Sequence, residues 1–258
     1  MDLRYITDRL KNLPTRNKPH IFYLHIPKTG GTSVIHALRK KYPFNFFKIE
    51  AGSSLRAAEL KFGENYKSFK QCYDLRESVA AYAMEAGYKC IAGHVPYSSN
   101  IFDDSSNNYH LMTILRDPVQ RFLSKYLYNY HKSSEHCKFE MDFEDYLESD
   151  IGKQSGREYL RYLSGYSVKE SGKSDEELTK ISVENLQKID LLGVLEELDK
   201  FKALFQNETG INLRIPHKNK TEEFTEVQSF DKATLNRIRE ICKPDIDLYN
   251  FAKARVDL

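Results

Sequence analysis

The chain has 258 residues, enough for one domain with a substantial core. Its 39 lysines and arginines nearly balance 37 aspartates and glutamates, for a net charge of +2, so no global charge points to nucleic acid. No apolar run approaches the ~20 residues that span a bilayer, and Met1 to Pro19 lacks the apolar core of a secretory signal. The expectation is a cytoplasmic protein without stable membrane insertion. Cys72, Cys90, Cys137 and Cys242 are widely spaced with no C-x-x-C pair, so they read as buried or free thiols.

In chain order, residues 1–19 read as a lead-in with a short helix. Ile21 to Leu24 form an apolar run that predicts a buried strand, and Val34, Ile35, Ala37 and Leu38 follow at helical spacing. Phe44 to Ile49 suggest a second short strand, and 53–62 and 75–86 carry helical patterns. Tyr88 to Ala92 read as a strand ending in Gly93-His94, and Asp103 to Asn108 as a loop. His110 to Arg116 predict another strand. Asp117 as N-cap and Pro118 then start a helix with Phe122, Leu123, Tyr126, Leu127 and Tyr130 on one face. Residues 142–150, 156–163 and 175–187 read as three further helices. Asp190 to Leu195 read as a last strand, followed by a helix from Leu198 to about Asn207 that stops at Gly210. Residues 231–242 and 245–255 read as helices separated by Pro244. Short apolar strands alternating with amphipathic helices indicate an α/β fold with a mostly parallel sheet, whose ligands sit at the strands' carboxyl ends.

The turn between the first strand and helix, Pro27-Lys28-Thr29-Gly30-Gly31-Thr32-Ser33, carries the chemistry. A sharp strand-to-helix turn leaves the first helical N–H groups unpaired at the positive end of the dipole, which suits an anion, above all phosphate. Gly30 and Gly31 let the backbone approach a ligand, Lys28 adds a point charge, and Thr29, Thr32 and Ser33 offer hydroxyls. The bland alternative is a glycine turn that merely joins strand to helix. The lysine precedes both glycines, so the G-x-x-x-x-G-K-[ST] order of the NTPases is absent. Arg116 at a strand end and Ser124 two turns into the next helix suit a terminal phosphate. Arg121 reads as a solvated helix charge. His94, at another strand end on the same edge, is a candidate general base; a histidine that only bonds locally is the alternative. His25 reads as structural, and His131 and His136-Cys137 lack metal-ligand spacing, so no metal is expected.

The Pro27–Ser33 order resembles the 5′-phosphosulfate loop of sulfotransferases that use 3′-phosphoadenosine 5′-phosphosulfate (PAPS), most closely the branch of the heparan and uronyl 2-O-sulfotransferases. Arg116 with Ser124 resembles their 3′-phosphate motif, and Gly93-His94-Val95 the place of their histidine base. Leu191 to Glu196 resembles a strand–helix unit of the family. His217-Lys218-Asn219-Lys220-Thr221 resembles the loop that closes over the nucleotide, which would make Lys218 and Asn219 cofactor contacts; a solvated basic loop is the other reading. The resemblance runs through residues 21–221, while 40–90 and 133–185 match nothing and are where the acceptor would be read, the latter as a helical elaboration. It implies one domain over 1–258, a P-loop-like three-layer α/β fold, and sulfuryl transfer from PAPS to a hydroxyl of a glycan or glycolipid. The product nucleotide would be 3′-phosphoadenosine 5′-phosphate (PAP), and no metal would be required. Lys28 would neutralise the leaving oxygen, and His94 would act with an apparent pKa near histidine's usual ~6.5; a carboxylate such as Glu50 is the substitute base. Two alternatives stay open. A nucleotide-dependent kinase would need a Mg²⁺ carboxylate, for which only Asp117 is tempting. A non-catalytic PAP- or PAPS-binding module would need no base at all.

Overall fold

The computed structural model describes residues 18–63, 69–103, 108–133, 138–165, 171–216 and 230–257. The lead-in before residue 18, His136-Cys137 and the loop with Lys218 and Asn219 lie outside the described residues. Five strands form one sheet: β1 (His20–Leu24), β2 (Phe46–Ile49), β3 (Cys90–Gly93), β4 (Tyr109–Leu115) and β5 (Leu191–Val194). The order is β2-β3-β1-β4-β5, and every pairing is parallel.

Alternation along β1 explains the layering. Phe22 and Leu24 face one side, where they pack with Ala80 and Ala83 of α3 (Phe69–Glu85) and with α8 (Glu158–Ser164), α9 (Asp175–Gln187) and α12 (Lys243–Val256). Ile21 and Tyr23 face the other, against α1 (Gly31–Lys41) and α10 (Leu198–Thr209). Ile21, Phe22 and Leu24, all fully buried, each contribute roughly 1.5–3 kcal/mol from apolar burial. Both faces are covered, which a parallel sheet requires. A separate cluster joins α5 (Pro118–His131), α6 (Phe143–Glu148) and α11 (Lys232–Ile241) through Phe122, Tyr146 and Ile238. Among the described residues no helix is long and apolar enough to cross a membrane.

Local signals explain most helix ends. Asp117 accepts from Gln120 N (2.9 Å) to start α5, and Ser174 with Glu177 closes a capping box on α9. Gly210 ends α10 in the left-handed conformation. Pro244 sits in the first turn of α12 rather than before it, where a missing N–H costs nothing. The helix expected over 142–150 is broken. Ser149 ends α6 and accepts from Gly152 N (3.0 Å) to cap a new helix, α7 (Asp150–Ser155). The chain also gains α2 (Ala51–Phe62) two residues earlier than expected and a short helix, α4 (Ser99–Phe102), that the sequence pattern did not predict. Leu195 leaves the last strand for a single 3-10 turn, Leu195–Glu197.

Candidate active site

Three neighbouring strands, β3, β1 and β4, carry the three segments that the sequence singled out. Leu24 pairs with Gly93, and the ladder continues one step further as His25 N donates to Gly93 O at 2.9 Å. On the other side Thr113 Oγ1 donates to Leu24 O at 2.8 Å. The chains leaving Leu24, Gly93 and Leu115 therefore emerge side by side at the carboxyl edge, spaced by the ~4.8 Å between strands.

The turn after β1 holds two left-handed residues, Lys28 (φ +69°) and Gly30 (φ +78°). Backbone that alternates in this way gathers N–H groups into a concavity suited to an anion. Gly30 is the N-cap of α1 and offers no side-chain cap. The first turn carries no acidic residue, while Arg39, Lys40 and Lys41 crowd the far end. Ser33 N donates back to Gly30 O at 3.2 Å, and no side chain caps the Gly31 and Thr32 amides. Two expectations need correction. A Cβ on Gly31 would lie 1.8 Å from His25 Nε2, so this glycine makes room for a histidine ring rather than for a ligand. Thr29 is buried and its hydroxyl donates to Ile26 O at 2.9 Å, so that hydroxyl is committed to the turn itself. Thr32 is exposed and Ser33 half-buried at the mouth of the turn. The Lys28 ammonium lies 3.9 Å above the ring of Tyr128 on α5, a residue the sequence gave no reason to single out.

Arg116 follows β4, and its Nη1 donates to Lys28 O at 3.3 Å. Its backbone is fixed by Tyr159, whose hydroxyl accepts from Arg116 N at 2.8 Å and donates to Arg116 O. Ser124 is buried on α5, one helical turn before Tyr128. Arg121 is a further correction, because it is fully buried instead of solvated. It lies 3.6 Å from Asp245 and 4.0 Å from Glu158, and it donates to Ser155 O. Asp245 accepts from the Tyr159 and Leu160 amides (3.0 Å each), and Glu158 also binds Lys125 at 2.7 Å and Arg161. Burial works to raise Glu158, yet Arg161, Lys125 and Arg121 hold its carboxyl well below the usual range. Arg121's partners stand at positions 155, 158 and 245, far along the chain, which is why its spacing on α5 could not reveal them.

His94 follows β3 and is half-buried. Its ring stacks on His25 with centroids 4.4 Å apart, and its Nδ1 lies 2.7 Å from His25 O. A carbonyl only accepts, so Nδ1 carries the proton and Nε2 keeps a lone pair. Burial pushes the His94 pKa down to about 4, with Arg76 adding to the effect and the bond to His25 opposing it. That is well under the ~6.5 expected of an ordinary histidine, and the ring is neutral at pH 7. Arg76 on α3 donates to His94 O (3.0 Å) and to Ser54 Oγ (2.8 Å), so helices α2 and α3 fix the backbone that carries the His94 ring. His94, His25, Thr32, Lys48 and Glu50 share a small cavity of about 170 Å³. Glu50, the substitute base, lies there in an ion pair with Lys48 at 2.8 Å. Arg76 and Lys48 belong to no motif, and only the three-dimensional structure brings them to the site.

Asp117 is accounted for by the helix: its carboxylate caps α5, and its own amide donates to Glu196 at 2.9 Å. Cys72, Cys90 and Cys242 are buried free thiols.

Heparan-sulfate 6-O-sulfotransferase 2 of Gallus gallus is 23% identical over 270 residues, covering 90% of this chain. The chain spans 66% of that relative's length. A profile described as "Sulfotransferase family" matches residues 11–252, nearly the whole chain. The chain belongs to the sulfotransferase family.

Proposed function

We propose that this protein transfers a sulfuryl group from PAPS to a hydroxyl of a carbohydrate acceptor. The observation that carries the reading is the convergence of three segments on one sheet edge, with Arg116 reaching across to the carbonyl of Lys28. The residues fit such a nucleotide. An uncapped helix N-terminus with two left-handed residues before it suits the 5′-phosphate, and the Arg116 guanidinium with Ser124 suits the 3′-phosphate. Thr32 and Ser33 add hydroxyls at the mouth of the cradle, while Thr29, Gly30 and Gly31 contribute through the backbone. Lys218 and Asn219 are proposed as further nucleotide contacts on the resemblance of their loop.

Bound PAPS supplies a sulfuryl group whose bond to the bridging phosphate oxygen breaks as a bond to the acceptor oxygen forms. The chain's own residues do the rest by positioning and electrostatics. His94 Nε2 takes the acceptor's hydroxyl proton, and Nδ1–H bonded to His25 O keeps the ring oriented. Lys28 stabilises the negative charge that develops on the leaving oxygen. The name of the relative, a heparan-sulfate 6-O-sulfotransferase, supports a glycan acceptor. The buried free thiols support a reducing compartment such as the cytoplasm. Residues 133–185, which supply α6 to α8 and most of α9, are proposed to help form the acceptor side in a single domain.

The kinase alternative is disfavoured because Asp117 is engaged as a helix cap and Lys28 stands before the glycines. The test is incubation of the purified chain with sulfur-labelled PAPS and an oligosaccharide library. Label in a saccharide together with released PAP is the expected result. Tight PAP binding without any transfer would favour a non-catalytic module, and phosphorylation from ATP would overturn the proposal.

A further inference from the structure

A cavity of about 590 Å³ opens beside the segment that follows His94, within the range of small-ligand sites, about 300–1,000 Å³. Pro96 lines it, and two residues of chain keep the Pro96 and His94 Cα atoms within about 7.6 Å. Part of the wall is α3, the helix whose Arg76 holds the His94 carbonyl. Tyr73 stands one turn before Arg76 and Glu77 directly after it, and both line the cavity. The cavity and the candidate base therefore share one helix and one strand-end segment.

The charges on the described wall point to a ligand class. Lys70 and Lys188 line it against Asp74, Glu77 and Asp103, two cations against three carboxylates, a balance of −1. Each lysine is matched: Lys70 to Asp74 at 2.6 Å and Lys188 to Asp103 at 2.6 Å. Burial works to raise Asp103, but Lys188 and the Tyr97 hydroxyl outweigh it and keep that carboxylate ionised. Glu77 is the surplus. Its Oε1 accepts from two neutral donors, Ser98 Oγ (2.7 Å) and Asn100 Nδ2 (3.1 Å). A sulfated or uronate-bearing chain entering here meets like charge. A polyhydroxyl ligand meets carboxylate and amide oxygens that accept its O–H groups.

We propose that this cavity is the acceptor subsite and that it takes an uncharged saccharide rather than a sulfated polyanion. The inference rests on the sulfotransferase reading above and narrows its acceptor.

The test uses the full chain with and without saturating PAP, whose own affinity is first measured by calorimetry. Saturation-transfer NMR then probes lactose, maltotriose and N-acetylated chitotriose against a heparin-derived tetrasaccharide. At least one uncharged probe should bind tenfold or more tightly than the heparin fragment. Glu77→Gln, which keeps the side chain's shape, should weaken that probe about tenfold through the lost charge-assisted bonds, with an unchanged melting temperature. Glu77→Lys should reverse the balance to +1 and improve the heparin fragment. Preference of the wild type for the heparin fragment, absence of any uncharged binder, or indifference to both substitutions would overturn the subsite while leaving PAP binding intact. Failure to bind PAP would instead overturn the donor reading, whatever the saccharides do.

Discussion

The Arg116 guanidinium donates to the carbonyl of Lys28 across 3.3 Å, joining the end of β4 to the turn after β1. If both segments hold one nucleotide, removing that cation affects the 3′-phosphate without dismantling the cradle. Arg116→Ala should weaken PAP by ~2–4 kcal/mol, as when one partner of a close charge pair is lost. AMP, which lacks the 3′-phosphate, should bind the variant and the wild type alike. Calorimetry with both nucleotides checks this; an equal loss for AMP would remove the role given to Arg116.

Lys28 holds a left-handed backbone conformation that costs a non-glycine residue roughly 1–2 kcal/mol. Lys28→Gly should therefore be more stable than Lys28→Ala by about that amount. Both should lose kcat by about 10²–10³, the scale of a lost oxyanion donor. A fall confined to KM would mean that the ammonium binds only the ground state.

His94→Ala should lower kcat by about 10²–10⁴ while leaving PAP affinity unchanged. The pH profile adds a sharper check. Burial sets the His94 pKa at about 4, so the acid limb of kcat/KM in the wild type should fall near there rather than near 6.5. The sign for stability follows from the same shift. Below its unfolded value the histidine takes up a proton in the unfolded chain that the folded chain refuses. Stability is thus full above about 6.5 and declines as pH falls toward 4, and the decline should be shallower in the variant. His25, held well below its ordinary value by burial, acts in the same direction and remains in both proteins. An acid limb unchanged in an active variant would move the base to Glu50, which shares the small cavity with His94.

Arg121→Ala should destabilise the protein by ~3–5 kcal/mol, because Asp245 and Glu158 would lose a buried counter-charge. Urea unfolding measures it; a change near zero would restore a solvated arginine.

The parallel sheet and the strand-to-helix turns were legible because each is a local signal. Ile21 to Leu24 are apolar over a strand's length, and Asp117-Pro118 starts a helix by its own chemistry. Arg121 and Thr29 were misread for a common reason. Whether a charge or hydroxyl is committed depends on groups that arrive from elsewhere, such as Asp245 for Arg121, or on the fold of the turn itself, as with Ile26 O for Thr29. Gly31 was read as ligand space, yet it faces the His25 ring, whose placement depends on how β1 ends. Arg76 was invisible in the sequence. It lies in no motif, and its tie to His94 exists only once α3 packs beside β3.

One measurement bears most directly on the joint donor site: calorimetry of the wild-type chain with PAP, AMP and ATP, first in the presence of a chelator and then with Mg²⁺ instead. The account predicts that PAP binds far more tightly than AMP or ATP and that Mg²⁺ adds nothing, since the Pro27–Ser33 turn and Arg116 each take one of its phosphates. Equal affinity for AMP and PAP, or a preference for ATP that appears only with Mg²⁺, would contradict it.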